Sequence, residues 1–195
     1  MTKTTEVQKQ DRTQKQNIKG ATRQIVYVGM FTAVMAVLSQ ISIPMPTNVP
    51  VTLQTFAVAF TGAVLGWKLG TCSTLVYIMI GAIGAPVFAG FSGGFSNLVG
   101  FSGGFIYGFL FLACLSGVGG IMKNRPAGIL TALAGLALCH VCGAVQYAFI
   151  AGQPIIRSFL LVSVPYLIKD VLSVILALAL GVMIRKRLRQ AGLME

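Results

Sequence analysis

Six long apolar runs, at residues 24–43, 51–66, 69–89, 104–122, 127–150 and 160–184, limit what this chain can fold into. A helix needs about 20 apolar residues to cross the hydrocarbon layer of a bilayer, and lipid offers no hydrogen bonds to an open backbone. Charged residues make up 10% of the chain and mean hydropathy is +0.82. A typical soluble domain carries about 25% charged residues. The expected fold class is therefore all-α: a polytopic membrane protein of six transmembrane helices, with no room for a second large domain. The second run is short, between Pro50 and Gly66-Trp67-Lys68. It is read as a span, tilted or packed inside the bundle, because the topology then closes.

The charges test that count. Net charge is +11, and Lys3, Lys9, Arg12, Lys15, Lys19 and Arg23 all precede the first run. Arg185, Lys186, Arg187 and Arg189 follow the last. With six spans, both basic termini, Lys68, and the loop with Lys123 and Arg125 fall on one side. The 44–50 and 90–103 loops on the other side carry no charge, and the 151–159 loop carries only Arg157. The bias of Lys and Arg toward cytoplasmic loops then puts both termini inside. A five-span arrangement would split these basic groups. Residues 1–22 are expected to form a polar basic tail, flexible or partly helical. Residues 23–188 form the membrane domain and 189–195 a C-terminal tail. The tail does not resemble a cleaved signal, because a full-length apolar run follows it. The basic termini suit an anionic lipid surface rather than nucleic acid, since no aromatics interleave with them.

Catalysis finds little support. His140 is the lone histidine, in the inner half of the fifth run, and no nucleophile–base set can be assembled around it. Cys139 and Cys142 have C-x-x-C spacing but no further clustered ligands, so neither metal nor cofactor is expected, and all four cysteines read as buried small hydrophobes. No nucleotide-binding motif is present, so transport by this chain would need a partner or a solute gradient.

Asp170 is the only carboxylate between Asp11 and Glu195. A charge at membrane depth costs about 2.5–3.5 kcal/mol on insertion scales, so such a residue is usually paired and functional. Asp170 and its neighbour Lys169 either neutralise each other and fix helix packing, or Asp170 accepts hydrogen bonds from a ligand. Other polar groups collect toward the same side: Thr52, Gln54 and Thr55 opening the second run, Gln146 and Tyr147 on the fifth, Ser163 and Tyr166 on the sixth. Pro165 either kinks the sixth helix or marks its start. The outer loops are unusual. Pro44, Pro46 and Pro50 stiffen the first. The next holds a ten-residue repeat, Gly90-Phe91-Ser92-Gly93-Gly94-Phe95 followed by Gly100-Phe101-Ser102-Gly103-Gly104-Phe105. Glycine pairs permit positive φ and close backbone approach to a ligand, and a purely structural turn is the alternative. No Gly-Lys-Ser/Thr ends the repeat, which argues against a phosphate loop. Arg157 is either a solvated loop residue or a ligand contact. Gly29 and Ala33 are small residues four apart, a spacing that lets helices approach closely, within the chain or with a partner subunit. The gathered groups suit an amphipathic ligand with an apolar body, N–H donors and an anionic tail.

Val49-Pro-Val-Thr-Leu-Gln-Thr55, Leu65-Gly-Trp-Lys-Leu-Gly70, Gly84-Ala-Pro-Val-Phe-Ala-Gly90, the twin glycine motif and Pro165-Tyr-Leu-Ile-Lys-Asp170 together resemble the BioY family, over most of residues 24–184. These are the biotin-specific substrate-binding components of energy-coupling-factor vitamin transporters. The resemblance implies six helices, cytoplasmic termini, an outward-facing biotin pocket and a prokaryotic cell membrane. It also implies a transmembrane coupling protein and two ATPase subunits as partners, with Gly29 and Ala33 on the docking face. It carries ligand contacts to Asp170, to the loop around Phe91, Ser92, Gly93 and Gly94, and to Gln54 and Tyr147, with Tyr166 in the same Pro-Tyr-Leu motif as Asp170. Two departures stand out. The second glycine motif reads Phe101-Ser-Gly-Gly-Phe105 where the family often has Pro-Thr-Gly-Gly-Tyr. Ser173 stands where the family often has a lysine three residues after the Asp. Lys169 or Arg157 is left as the basic partner of the ligand. Alternatives are a component for another vitamin or a structural membrane subunit that binds no ligand.

Overall fold

The computed structural model describes residues 2–193, with side chains from residue 18 onward except Lys19. The chain is mostly helical. Helices α1 (Thr2–Ser39), α2 (Gln54–Leu65), α3 (Trp67–Ala82), α5 (Gly103–Ile121), α6 (Arg125–Ala151) and α8 (Val164–Gln190) correspond to the six apolar runs. The short α4 (Phe95–Val99) and α7 (Ile155–Val162) lie in the connections. Four helical stretches are long and apolar enough to cross a membrane: Gly20–Ser39, Gly103–Ile121, Arg125–Ala151 and Val164–Gln190. At about 1.5 Å per residue, the 12-residue α2 spans roughly 18 Å and the 16-residue α3 roughly 24 Å. The tail and the first apolar run form one continuous helix.

Contacts between distant residues define two ends of the bundle. At one end Tyr27 donates to the Leu193 carbonyl, the Arg185 guanidinium covers Gly66, and Gly119 packs on Gly128. Lys68, Lys123 and Arg125 lie beside these groups in sequence. At the other end Ser39 donates to the Val87 carbonyl, Lys169 to Thr52 and Gln146 to Leu98. The basic loops therefore share one end and the uncharged loops the other.

Ten of the twelve α2 residues are buried, so this short helix is the centre of the bundle, with α5, α8, α3 and α1 around it. Lipid tails are as apolar as leucine, so helices in a membrane associate through close packing at small residues. The interfaces follow that rule. A side chain on Gly62 would strike the Ala113 carbonyl of α5, one on Gly108 the Cys139 backbone of α6, and one on Gly104 the Cys142 carbonyl. The core around them includes Met35, Val58, Tyr77, Leu112 and Val174. The cysteines are free, with Cys139 buried against the Phe105 carbonyl and Cys72 exposed.

Three local outcomes add detail to the linear reading. The stiff first loop closes a two-residue antiparallel ladder, β1 (Ser42–Ile43) with β2 (Val51–Thr52), and Asn48 at its tip takes φ 60°. The last apolar run does not form one helix from residue 160. It breaks at Ser163, and α8 starts at Val164 with Pro165 in its first turn, where a missing N–H costs nothing. The twin motif divides: Gly93 and Gly94 remain in a loop, while Gly103 and Gly104 open α5.

Candidate ligand-binding site

A cavity of about 250 Å³ lies at the uncharged end, among α2, α5, α6, α8 and the loops above them. Its deeper apolar wall comes from Ile106 and Phe109 of α5 and Leu136 of α6. These positions fall on the inward faces of helices held close by Gly104 and Gly108, so the cavity depends on that spacing.

The acid centre joins α6 and α8. Asp170 is 5% exposed, and Lys169 Nζ sits 2.5 Å from its Oδ1. His140 Nε2 stands 3.4 Å from its Oδ2. The same Lys169 ammonium donates to the Thr52 carbonyl at 2.6 Å, tying α8 to β2. His140 is 2% exposed, its ring edge-on to Phe105, and its Nδ1 is buried without a partner. An unmet buried hydrogen-bonding group costs about 1–3 kcal/mol, so a polar ligand atom here would be stabilising. Placing the histidine from its position in one run misled, because lateral neighbours depend on how α6 and α8 are offset. Sequence reading treated it as isolated, and the structure puts it beside the acid.

The opposite wall is a second polar chain. Gln54 Nε2 donates to the Tyr77 hydroxyl at 2.8 Å, and that hydroxyl donates to the Val87 carbonyl at 3.0 Å. Thr52 donates to Gln54 Oε1 at 3.1 Å. The buried α2 terminus is thereby connected to the loop after α3.

The glycine loop is fastened rather than loose. Gln40 Oε1 accepts from the Phe91 amide at 2.8 Å, and the Gly81 carbonyl accepts from the Gly94 amide at 2.7 Å. Gly94 has φ 98°, a left-handed conformation that glycine adopts without steric cost. A Cβ on Gly93 would run into the Ala85 carbonyl. Ser92 lines the cavity, its hydroxyl donating to the Ala89 carbonyl at 2.8 Å, and Asn97 lines it beside Ser92. Phe91 points away and is 71% exposed.

Of the residues singled out in the sequence, Asp170, Lys169, Tyr166, Gln54 and Ser92 all line the cavity. Tyr166 also donates to the Val49 carbonyl at 2.7 Å and meets Thr47 at 3.0 Å, so it holds the proline loop over the site. Gly93 and Gly94 shape the loop from behind. Tyr147 is buried behind the lining, its ring 5.3 Å from Phe101 and packed with Val49 and Val162. Arg157 is exposed on α7, outside the lining, because α7 turns that face of its single amphipathic turn pair away from the bundle. Gly29 and Ala33 are exposed together on α1, away from the cavity, and a Cβ on Gly29 would meet open space. His140, Asn97 and Ser102 are lining residues that the linear reading did not assign. For the histidine a signal existed: it is the sole titratable imidazole in a chain with one intramembrane acid.

Comparison with known proteins agrees with this architecture. The profile of the BioY family matches residues 6–190. A protein of Pyrococcus horikoshii named "Probable biotin transporter BioY" is 36% identical over 167 residues, covering 86% of this chain and 96% of that protein. The "Biotin transporter BioY" of Thermotoga maritima is 36% identical over 166 residues, covering 84% and 96%. The crystal structure of the S-component for biotin from an ECF-type ABC transporter superposes with a TM-score of 0.76 at 27% identity, covering 86% of this chain and 93% of that one. By profile, by relatives matched over nearly their whole length and by fold, this chain belongs to the BioY family.

Proposed function

We propose that this chain is the substrate-binding subunit of an energy-coupling-factor transporter for biotin. The observation that carries the reading is the buried Asp170–His140 pair, with the partly exposed Lys169 beside it, opening on a partly apolar cavity in a chain of this family. Biotin has a ureido ring with two N–H donors and one carbonyl, an apolar thiophane ring and a carboxylate tail. The two Asp170 oxygens carry four lone-pair sites, and His140, Lys169 and Thr55 engage three of them. Room is left to accept from a ureido N–H group. Lys169 uses two of its three protons on Asp170 and Thr52, so the third is free for the ureido oxygen. Phe105, Phe109 and Ile106 suit the thiophane ring. The tail points toward Ser92, Asn97 and Ser102. The Phe91 and Gly94 amides are already bonded within the protein, so the glycine loop acts through its shape and Ser92. Arg157 has no part in this arrangement. Lys169 takes the basic role that Ser173 cannot.

Six helices span the cell membrane of a prokaryote in this reading, with the short α2 shielded by its neighbours. The basic end faces the cytoplasm and the cavity faces out. Residues 1–22 and 189–195 flank the membrane domain 23–188. No nucleotide-binding motif is present, so a coupling protein and two ATPase subunits drive transport, with Gly29 and Ala33 on the face that meets the coupling protein. Catalysis by the chain itself has no place in this scheme.

The test is a thermal-shift and calorimetric screen of the purified chain against biotin, thiamine and riboflavin. Biotin alone is expected to stabilise it. Preference for thiamine or riboflavin would move the assignment to another vitamin, and no response to any would leave a structural subunit. Cysteine labelling at positions 68 and 96 of a cysteine-free variant is expected to report opposite sides of the membrane.

A further inference from the structure

A second cavity, of about 440 Å³, opens at the basic end between α6 and α8. Its walls are apolar, from Gly119 of α5, Ile129 of α6, and Leu178, Val182 and Met183 of α8. Its polar members are Arg125, the first residue of α6, and Lys186, near the end of α8. Both are exposed, and among the described residues neither forms an ion pair. Asp170, the sole carboxylate of α2 through α8, stands at the opposite end.

We infer that this groove binds one anionic phospholipid, an acyl chain along Gly119, Ile129 and Val182 and the phosphate at Arg125 and Lys186. A gap between helices in a bilayer is most readily filled by an acyl chain, which matches walls of Leu, Ile and Val. Two cations at the surface end select a headgroup with net negative charge. Free phosphate would meet the cations but leave the apolar volume empty. The inference rests on the reading of these helices as membrane-spanning with the basic end at the cytoplasmic surface.

Native mass spectrometry of the full chain, in neutral detergent with equal phosphatidylglycerol and phosphatidylcholine, tests it. The wild type is expected to retain one phosphatidylglycerol in preference to phosphatidylcholine by on the order of tenfold, given two basic contacts. The double variant R125Q/K186Q loses that preference. Ala179 also lines the groove, and A179F, which fills the acyl-chain path, loses retention of both lipids. K68Q removes a cation that lies over Trp67 instead, and keeps the preference. Equal retention of the two lipids by the wild type, or a preference that survives in R125Q/K186Q, overturns the proposal. Each variant's cooperative melting without ligand reports whether it is folded, and thermal shift with biotin is measured separately. A wild type that keeps the lipid preference but ignores biotin would remove the transport assignment and leave the lipid site standing.

Discussion

His140 and Asp170 face each other across the α6–α8 interface, Nε2 to Oδ2 at 3.4 Å, both almost fully buried at the wall of the ligand cavity. They lie 30 residues apart in sequence, on two different helices. His140→Ala leaves Asp170 to Lys169 and Thr55 and lets the carboxylate turn. Biotin affinity is expected to fall about tenfold, or about 1.4 kcal/mol. Calorimetry of a variant that still folds checks this, and unchanged affinity would remove the histidine from the site.

Asp170→Asn keeps the shape of the acid but replaces one acceptor oxygen with a donor. Biotin binding is expected to weaken by at least tenfold. Asp170→Ala should also lower the melting temperature, since removing one member of a buried pair costs about 3–5 kcal/mol. A folded Asn variant with wild-type affinity would rule out Asp170 as the ureido acceptor.

Lys169→Met retains much of the aliphatic stem and loses both the Thr52 and Asp170 contacts. Weaker biotin binding and faster amide exchange at residues 44–52 are expected together, because one ammonium holds both. In contrast Arg157→Ala, at an exposed position of α7, should leave affinity within about twofold, a change of about 0.4 kcal/mol.

Tyr166→Phe removes the hydroxyl that bonds Val49 and Thr47. Each such bond contributes about 0.5–1.5 kcal/mol. The expected result is greater protease sensitivity of the 44–50 loop in the absence of biotin, with partial protection when biotin is added.

Gly62→Val forces a branched side chain into the Ala113 carbonyl of α5, backbone that cannot step aside. Overpacking typically costs about 1–3 kcal/mol, and here α2 is enclosed on all sides. A lower melting temperature is expected, with biotin affinity reduced less than by Asp170→Asn. Gly29→Val, which meets open space, should leave melting unchanged.

Much was legible along the chain because membrane insertion reads composition directly. Apolar length marked out the six principal helices, and charge asymmetry sorted their loops into the two ends that the contacts define. The isolation of Asp170 among apolar residues singled it out, since an unneeded charge there is costly. Motifs led to the family. What linear reading could not decide was lateral. Two copies of one glycine motif, Gly93-Gly94 and Gly103-Gly104, became a loop and a helix start, because only the second pair faces α6. His140 became Asp170's neighbour, Arg157 turned outward, and Tyr147 went behind the wall. Those outcomes depend on helix rotation and offset, which backbone contacts at Gly62, Gly104 and Gly108 set across the bundle, and no residue's own position in the chain encodes them.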